Sequence, residues 1–127
     1  MLTMDNIEIL TDYMQQEQFL NEDGEVRSII LSEQGYTAAS GEAIQAAAFA
    51  YAYYKTEANP HIDSFLLNRQ TDAPEEVAQG LSFGLNTSGG HRRQLYNVFK
   101  YIDTPQHAEY TDFAKSIIGI SSWSEIY

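Results

Sequence analysis

Apolar positions along this chain change rhythm several times, and each rhythm predicts an element. Ile7, Leu10 and Met14 recur at helical spacing with Ile9 and Tyr13 beside them, so a first helix with one buried face is expected from Asp5. Asp5 and Glu8 have the spacing of a capping box, and Met4 and Ile9 stand where a hydrophobic staple would. The turn formers of "NEDGE" end that helix. Ile29, Ile30 and Leu31 then run uninterrupted between turn signals, the pattern of a strand covered on both faces in a parallel sheet. Ser40 is placed to cap a second helix over 42–56, "EAIQAAAFAYAYYKT", which is apolar almost all round and should lie deep. Asn59-Pro60 closes it, because the residue before proline resists the helical conformation. "IDSFLLN", 62–68, reads as a second strand. Strand, helix and strand in about forty residues make a βαβ unit with an expected right-handed crossover.

Beyond the second strand the rhythm is lost. Residues 69–90 form a long polar, glycine-containing loop with an extended piece expected at Leu81 to Leu85, and such loops in compact domains tend to carry function. A third helix follows over 92–103, with Leu95, Val98, Phe99 and Ile102 facing inward, and Thr104-Pro105 stops it. A shorter helix over 108–118 precedes Gly119 and the tail "ISSWSEIY". The pattern is that of one α/β domain over 1–127, with two parallel strands packed against about four helices.

Composition narrows the partners. Acidic residues outnumber basic ones 18 to 7, for a formal charge of −11. That balance repels a phosphate backbone and an anionic membrane surface, so neither nucleic acid nor membrane is an expected partner. There is no cysteine, hence no disulfide and no thiolate metal site. The first twenty residues lack a basic stretch followed by a long apolar run, so no signal peptide is expected. The chain as given reads as cytoplasmic, and a longer parent as secreted or cell-surface remains open. His61, His91 and His107 have no ligand spacing, and no metal or cofactor is expected. "FGLNTSGG" lacks the Gly-Lys-Ser/Thr ending of a phosphate loop. The Asn21-Glu22 pair precedes a strand, at the wrong end of the sheet for chemistry.

One carboxylate stands apart. Glu33 follows the apolar run directly and precedes Gly35, at the carboxyl end of a strand, where ligand crevices of α/β folds open. Gly35 is expected to turn the chain sharply away and leave that carboxylate exposed. Asn68, Arg69 and Asp72 follow the second strand onto the same edge, and a guanidinium beside a carboxylate there would keep it ionised and oriented. The bland alternatives are a solvated strand-end glutamate and a loop ion pair of little consequence.

The ordered series "IILSEQGYTA", "EAIQAAAFAYAYYK", "IDSFLLNRQTDAPEE", "GLSFGLN" and "LYNVFKYID" resembles the C-terminal end of a bacterial, glycoside-hydrolase-like TIM-barrel family of unassigned activity, related to the clan of retaining (β/α)8 glycosidases. In that clan a Ser/Thr-Glu-x-Gly motif ends the seventh strand, and Ser32-Glu33-Gln34-Gly35 fits it. The resemblance therefore implies that the two strands are the seventh and eighth of a barrel. It makes Glu33 the catalytic nucleophile position and carbohydrate the ligand, and Asn68, Arg69 and Asp72, placed by their position after the second strand, are the candidate substrate-binding residues beside it. The aromatic residue that clan members often carry after strand eight is replaced by Asn68-Arg69. A barrel needs eight strands and retaining hydrolysis needs two carboxyl groups, so the isolated chain is expected to be inactive on glycosides. Open strand edges and a bare apolar face imply association, with further copies as a homo-oligomer or with the remainder of a longer barrel. A self-associating interaction or structural protein without chemistry is the alternative.

Overall fold

The computed structural model describes residues 4–67 and 69–126, and for Glu33 the backbone alone. Its elements in chain order are α1 (Glu8–Met14), β1 (Ile29–Gln34), α2 (Glu42–Glu57), β2 (Ile62–Leu67), α3 (Pro74–Val77), α4 (Gln94–Tyr101) and α5 (His107–Ile118), with short 3-10 turns at Met4–Asn6, Glu17–Phe19 and Trp123–Ile126. Strands β1 and β2 pair in parallel, so the βαβ unit expected from the apolar rhythm is formed. Among the described residues no helix is long and apolar enough to cross a membrane.

Alanine makes α2 the centre of the fold. Ala46, Ala47, Ala50 and Ala52 are all at most 1% exposed, and side chains this small let α4 and α5 approach the helix axis closely. On its sheet side Phe49 stacks on Phe65 of β2 with ring centroids 5.9 Å apart. Leu95, Val98 and Ile102 supply the buried stripe of α4, and Ala114 and Thr111 that of α5. The tail turns back so that the Trp123 ring packs tilted against Tyr54, with centroids 4.4 Å apart.

Several local expectations are corrected. No side chain caps α1, whose first turn follows Ile7; Asp5 instead accepts a hydrogen bond from the Tyr51 hydroxyl, and Glu8 binds Lys55 Nζ at 2.6 Å. Ile9 and Tyr13 are 59% and 52% exposed and only Ile7 of that helix face is fully buried among its apolar members. Gly41 rather than Ser40 begins α2, with φ +127°, a conformation that a side chain resists. Phe99 lies 46% exposed, because the buried arc of α4 is only as wide as Leu95, Val98 and Ile102. Leu81 to Leu85 form no strand; the loop holds the single helical turn α3 and bridges linking Thr71 to Asn86 and Asn86 to Arg92.

Among the described residues the sheet is also not covered on both faces. Leu31 lies opposite Phe65 on the helix side, whereas Ile30 lies opposite Ser64 on the other face, shared by Leu66 two residues on. Ile30 and Leu66 are 59% and 52% exposed.

Candidate functional site

The carboxyl ends of β1 and β2 lie side by side, with Gln34 paired to Leu67. From Leu31 to Gln34 the first strand advances three residues while its partner, from Phe65 to Leu67, advances two. The extra residue makes a bulge at Ser32-Glu33, a device that re-aims side chains at strand ends. The side chain of Glu33, and the whole of Asn68, lie outside the described residues. Gly35 does not turn in the left-handed region. Its missing Cβ makes room for the Phe83 ring, whose nearest carbon would stand 3.2 Å from that atom.

The two loops that leave this edge are knitted together. Thr37 Oγ1 donates to the Gly80 carbonyl and accepts from the Ser82 amide, and the Ala38 amide donates to the Ser82 carbonyl at 2.9 Å. Gln45, 1% exposed on the first turns of α2, donates through Nε2 to three loop carbonyls, those of Tyr36 at 2.8 Å, Ser82 at 3.1 Å and Gly84 at 3.3 Å. An amide with two hydrogens facing three acceptors acts as a brace between the loops. Its own Oε1, like the buried Tyr36 hydroxyl, has no hydrogen-bond partner among the described residues.

Asp72 belongs to the same brace. Its carboxylate accepts a two-pronged contact from Arg93, at 2.8 Å from one guanidinium nitrogen and 2.6 Å from the other, and also the Gly84 amide at 2.8 Å. Arg93 in turn donates to the Gly84 carbonyl at 3.0 Å. Both side chains are under 9% exposed. The Arg93 guanidinium holds the Asp72 carboxyl below its usual range, against the opposing effect of burial. Gly84 sits so tightly in this clamp that a Cβ would meet the Asn86 carbonyl at 2.5 Å and the Asp72 amide at 2.6 Å.

Arg69 therefore does not orient Asp72. It lies exposed and forks onto Glu76 of α3, with its NH2 group 2.8 Å from Oε1 and its Nε 3.1 Å from Oε2. The hydrogen bonds raise the Arg69 pKa and lower that of Glu76. Arg69 also lines an open groove of about 440 Å3 with Gln70, Leu85 and Tyr96. Gln45 and Arg93 escaped the sequence reading. For Gln45 a signal existed, a single amide within an otherwise apolar helical run. Among the described residues no three His, Cys, Asp or Glu side chains are grouped to hold a metal.

A family model matches residues 1–126 of this chain. The chain belongs to DUF5722, a family of unknown function. No curated protein and no solved structure matches it. Membership of DUF5722 thus covers α1 through the last 3-10 turn and names no activity, which leaves the chemistry of the strand-end site to be argued from its geometry.

Proposed function

We propose that this chain is the C-terminal portion of a (β/α)8 barrel of the glycoside-hydrolase kind, with Glu33 in the position of the nucleophile. The observation that carries the reading is a glutamate in a bulge one residue before the end of a strand, beside a parallel partner, at the edge where such folds place their chemistry. The braced loops favour it as well, since a reacting carboxylate needs a fixed frame around it. Asn68 and Arg69, the next residues of the sequence after β2, are proposed to meet a sugar substrate. Asp72 contributes at one remove, by fixing the loop wall through Arg93 and Gly84.

Two carboxyl groups about 5 Å apart are needed for retaining hydrolysis. Asp72 is committed to Arg93, so in this reading the general acid comes from another strand of the barrel. The experiment is a mechanism-based glycosidase label applied to the protein with a complete set of strands. Tagging is expected on Glu33, and Glu33→Gln is expected to abolish tagging and turnover while the circular dichroism spectrum stays the same. A tag on another residue, or undiminished turnover in the variant, refutes the assignment.

A second reading is favoured by the bare face that carries Ile30 and Leu66. In it the chain is a self-associating interaction or structural protein, with copies covering one another's open sheet and Glu33 without a chemical role. This reading predicts no tagging at all.

A further inference from the structure

The free edge of β2 carries a more specific message than exposure alone. Two open grooves run along it, of about 470 and 440 Å3, and they join at Phe99 and Lys100 of α4. The sheet order is β1-β2, so one side of β2 is committed to β1 and its other side faces these grooves. Phe49 and Phe65 line the apolar floor, and half-exposed Phe99 forms part of the far wall. A slot between an unpaired strand edge and an overlying helix has the dimensions and the hydrogen-bonding groups for one more extended segment.

Charge gives the slot a direction. Helices between parallel strands run opposite to them, so α2 delivers Glu57 to the amino end of β2, where Asp63 lies, and the residue Asp103 just beyond α4 lines the same groove. The carboxyl-terminal ends of α2 and α4 add the negative pole of each helix there. Burial, and after it the field of Glu57 and Asp103, pushes the Tyr53 hydroxyl pKa up, so both carboxylates act on one spot. Lys100 lines the same groove, but its ammonium lies 5.2 Å over the Tyr101 ring, and one cation stands there against three carboxylates. Arg69, towards the other end, is already paired with Glu76. A second copy of this chain, with a charge of −11, is a poor match for the acidic end.

We infer that the slot on β2 receives a strand that runs parallel to β2 and carries a lysine or arginine at its amino end, against Glu57, Asp63 and Asp103. This rests on the barrel reading, in which the ring closes at β2, and adds the chemistry of the closing strand. The test uses synthetic strand peptides of about eight residues, alternating valine and threonine, with lysines at the amino end, at the carboxyl end, or replaced by glutamates. Each is titrated into the 127-residue chain and followed by backbone amide shifts and hydrogen exchange over residues 62–67. The peptide with amino-terminal lysines is expected to bind this edge about tenfold tighter than either control. Asp63→Lys combined with Asp103→Lys, both at exposed positions, is expected to invert the preference in favour of the glutamate peptide. Binding at the edge without charge preference, or with the carboxyl-terminal lysines preferred, overturns the inference and leaves the barrel reading standing. No peptide at the edge, or an edge already protected by a second copy, overturns the inference as well, while the barrel reading stands or falls on the Glu33 label.

Discussion

Asp72 and Arg93 show what a carboxylate near a strand end does when it is not a reactant. Both are buried, and each satisfies the other and the Gly84 backbone, so removing one partner strands the remaining charge. Asp72→Asn is therefore expected to lower stability by about 3 kcal/mol at neutral pH, read by urea unfolding. The pH dependence has a definite sign. The folded carboxyl titrates below its ordinary value of about 3.9, so its contribution is full above that value and is lost as pH falls through the lower folded one. Glu8, held down first by its hydrogen bond from Lys55, adds to the loss in the same direction. Wild type and Asp72→Asn are thus expected to differ most near neutrality and to converge under acid. A gap that stays constant down to pH values below the usual carboxylate range would show that the pair is not what stabilises the loop.

At the level of elements, the weak point is the long segment between β2 and α4, which has little regular structure of its own. It is held by side-chain bonds to Gln45, Thr37 and Arg93 and by the tight seat of Gly84. Gly84→Ala pushes a methyl group into backbone on two sides and is expected to cost about 2–3 kcal/mol. Gly89→Ala is its control: the nearest atoms to an added Cβ are 3.8 Å away, an ordinary contact, and the change is expected to be silent in the same denaturation experiment. The elements on either side of the loop were legible because their apolar positions are periodic or continuous; α2 ends within one residue of the expected span and β2 covers the expected run as far as it is described. What was not legible is the choice of partner. Asp72 lies three residues from Arg69 and twenty-one from Arg93, yet binds the distant one, because α3 brings Glu76 to Arg69 while Arg93 enters beneath the loop. Asp5 and Ser40 have the chemistry of helix caps, but Asp5 is taken by Tyr51 and Gly41 has the backbone angle that α2 requires. The carboxyl edge that holds Glu33 could be placed from strand boundaries alone. The brace around it could not, since it depends on contacts between residues up to 45 positions apart.

For the molecule as a whole, two forces oppose each other on the open sheet face. Ile30 and Leu66 present apolar surface that water does not favour, while a charge of −11 pushes like chains apart. Salt screens the second force and leaves the first intact. If copies cover one another through this face, the mass measured by light scattering is expected to rise from low to high ionic strength at a fixed micromolar concentration. Leu66→Lys, which places a cation in the middle of that face, is expected to hold the chain monomeric at high salt. Because Leu66 is half exposed within the single chain, the same change should alter the unfolding free energy of the monomer by no more than about 0.5 kcal/mol. Association that weakens with salt would point instead to contacts between charges. A variant that still associates would move the interface away from Leu66, to the exposed apolar side chains of α1 or α5 such as Ile9 and Ile117. In a closed barrel the same two side chains would face inward among those of the other strands, so a protein with the full set of strands should show neither the salt response nor the effect of Leu66→Lys on mass. It should lose several times more stability from that substitution than the single chain does, since a buried, unpartnered charge is costly where a half-exposed one is not. The ratio of those two losses therefore measures directly how far the open face seen here is an interior.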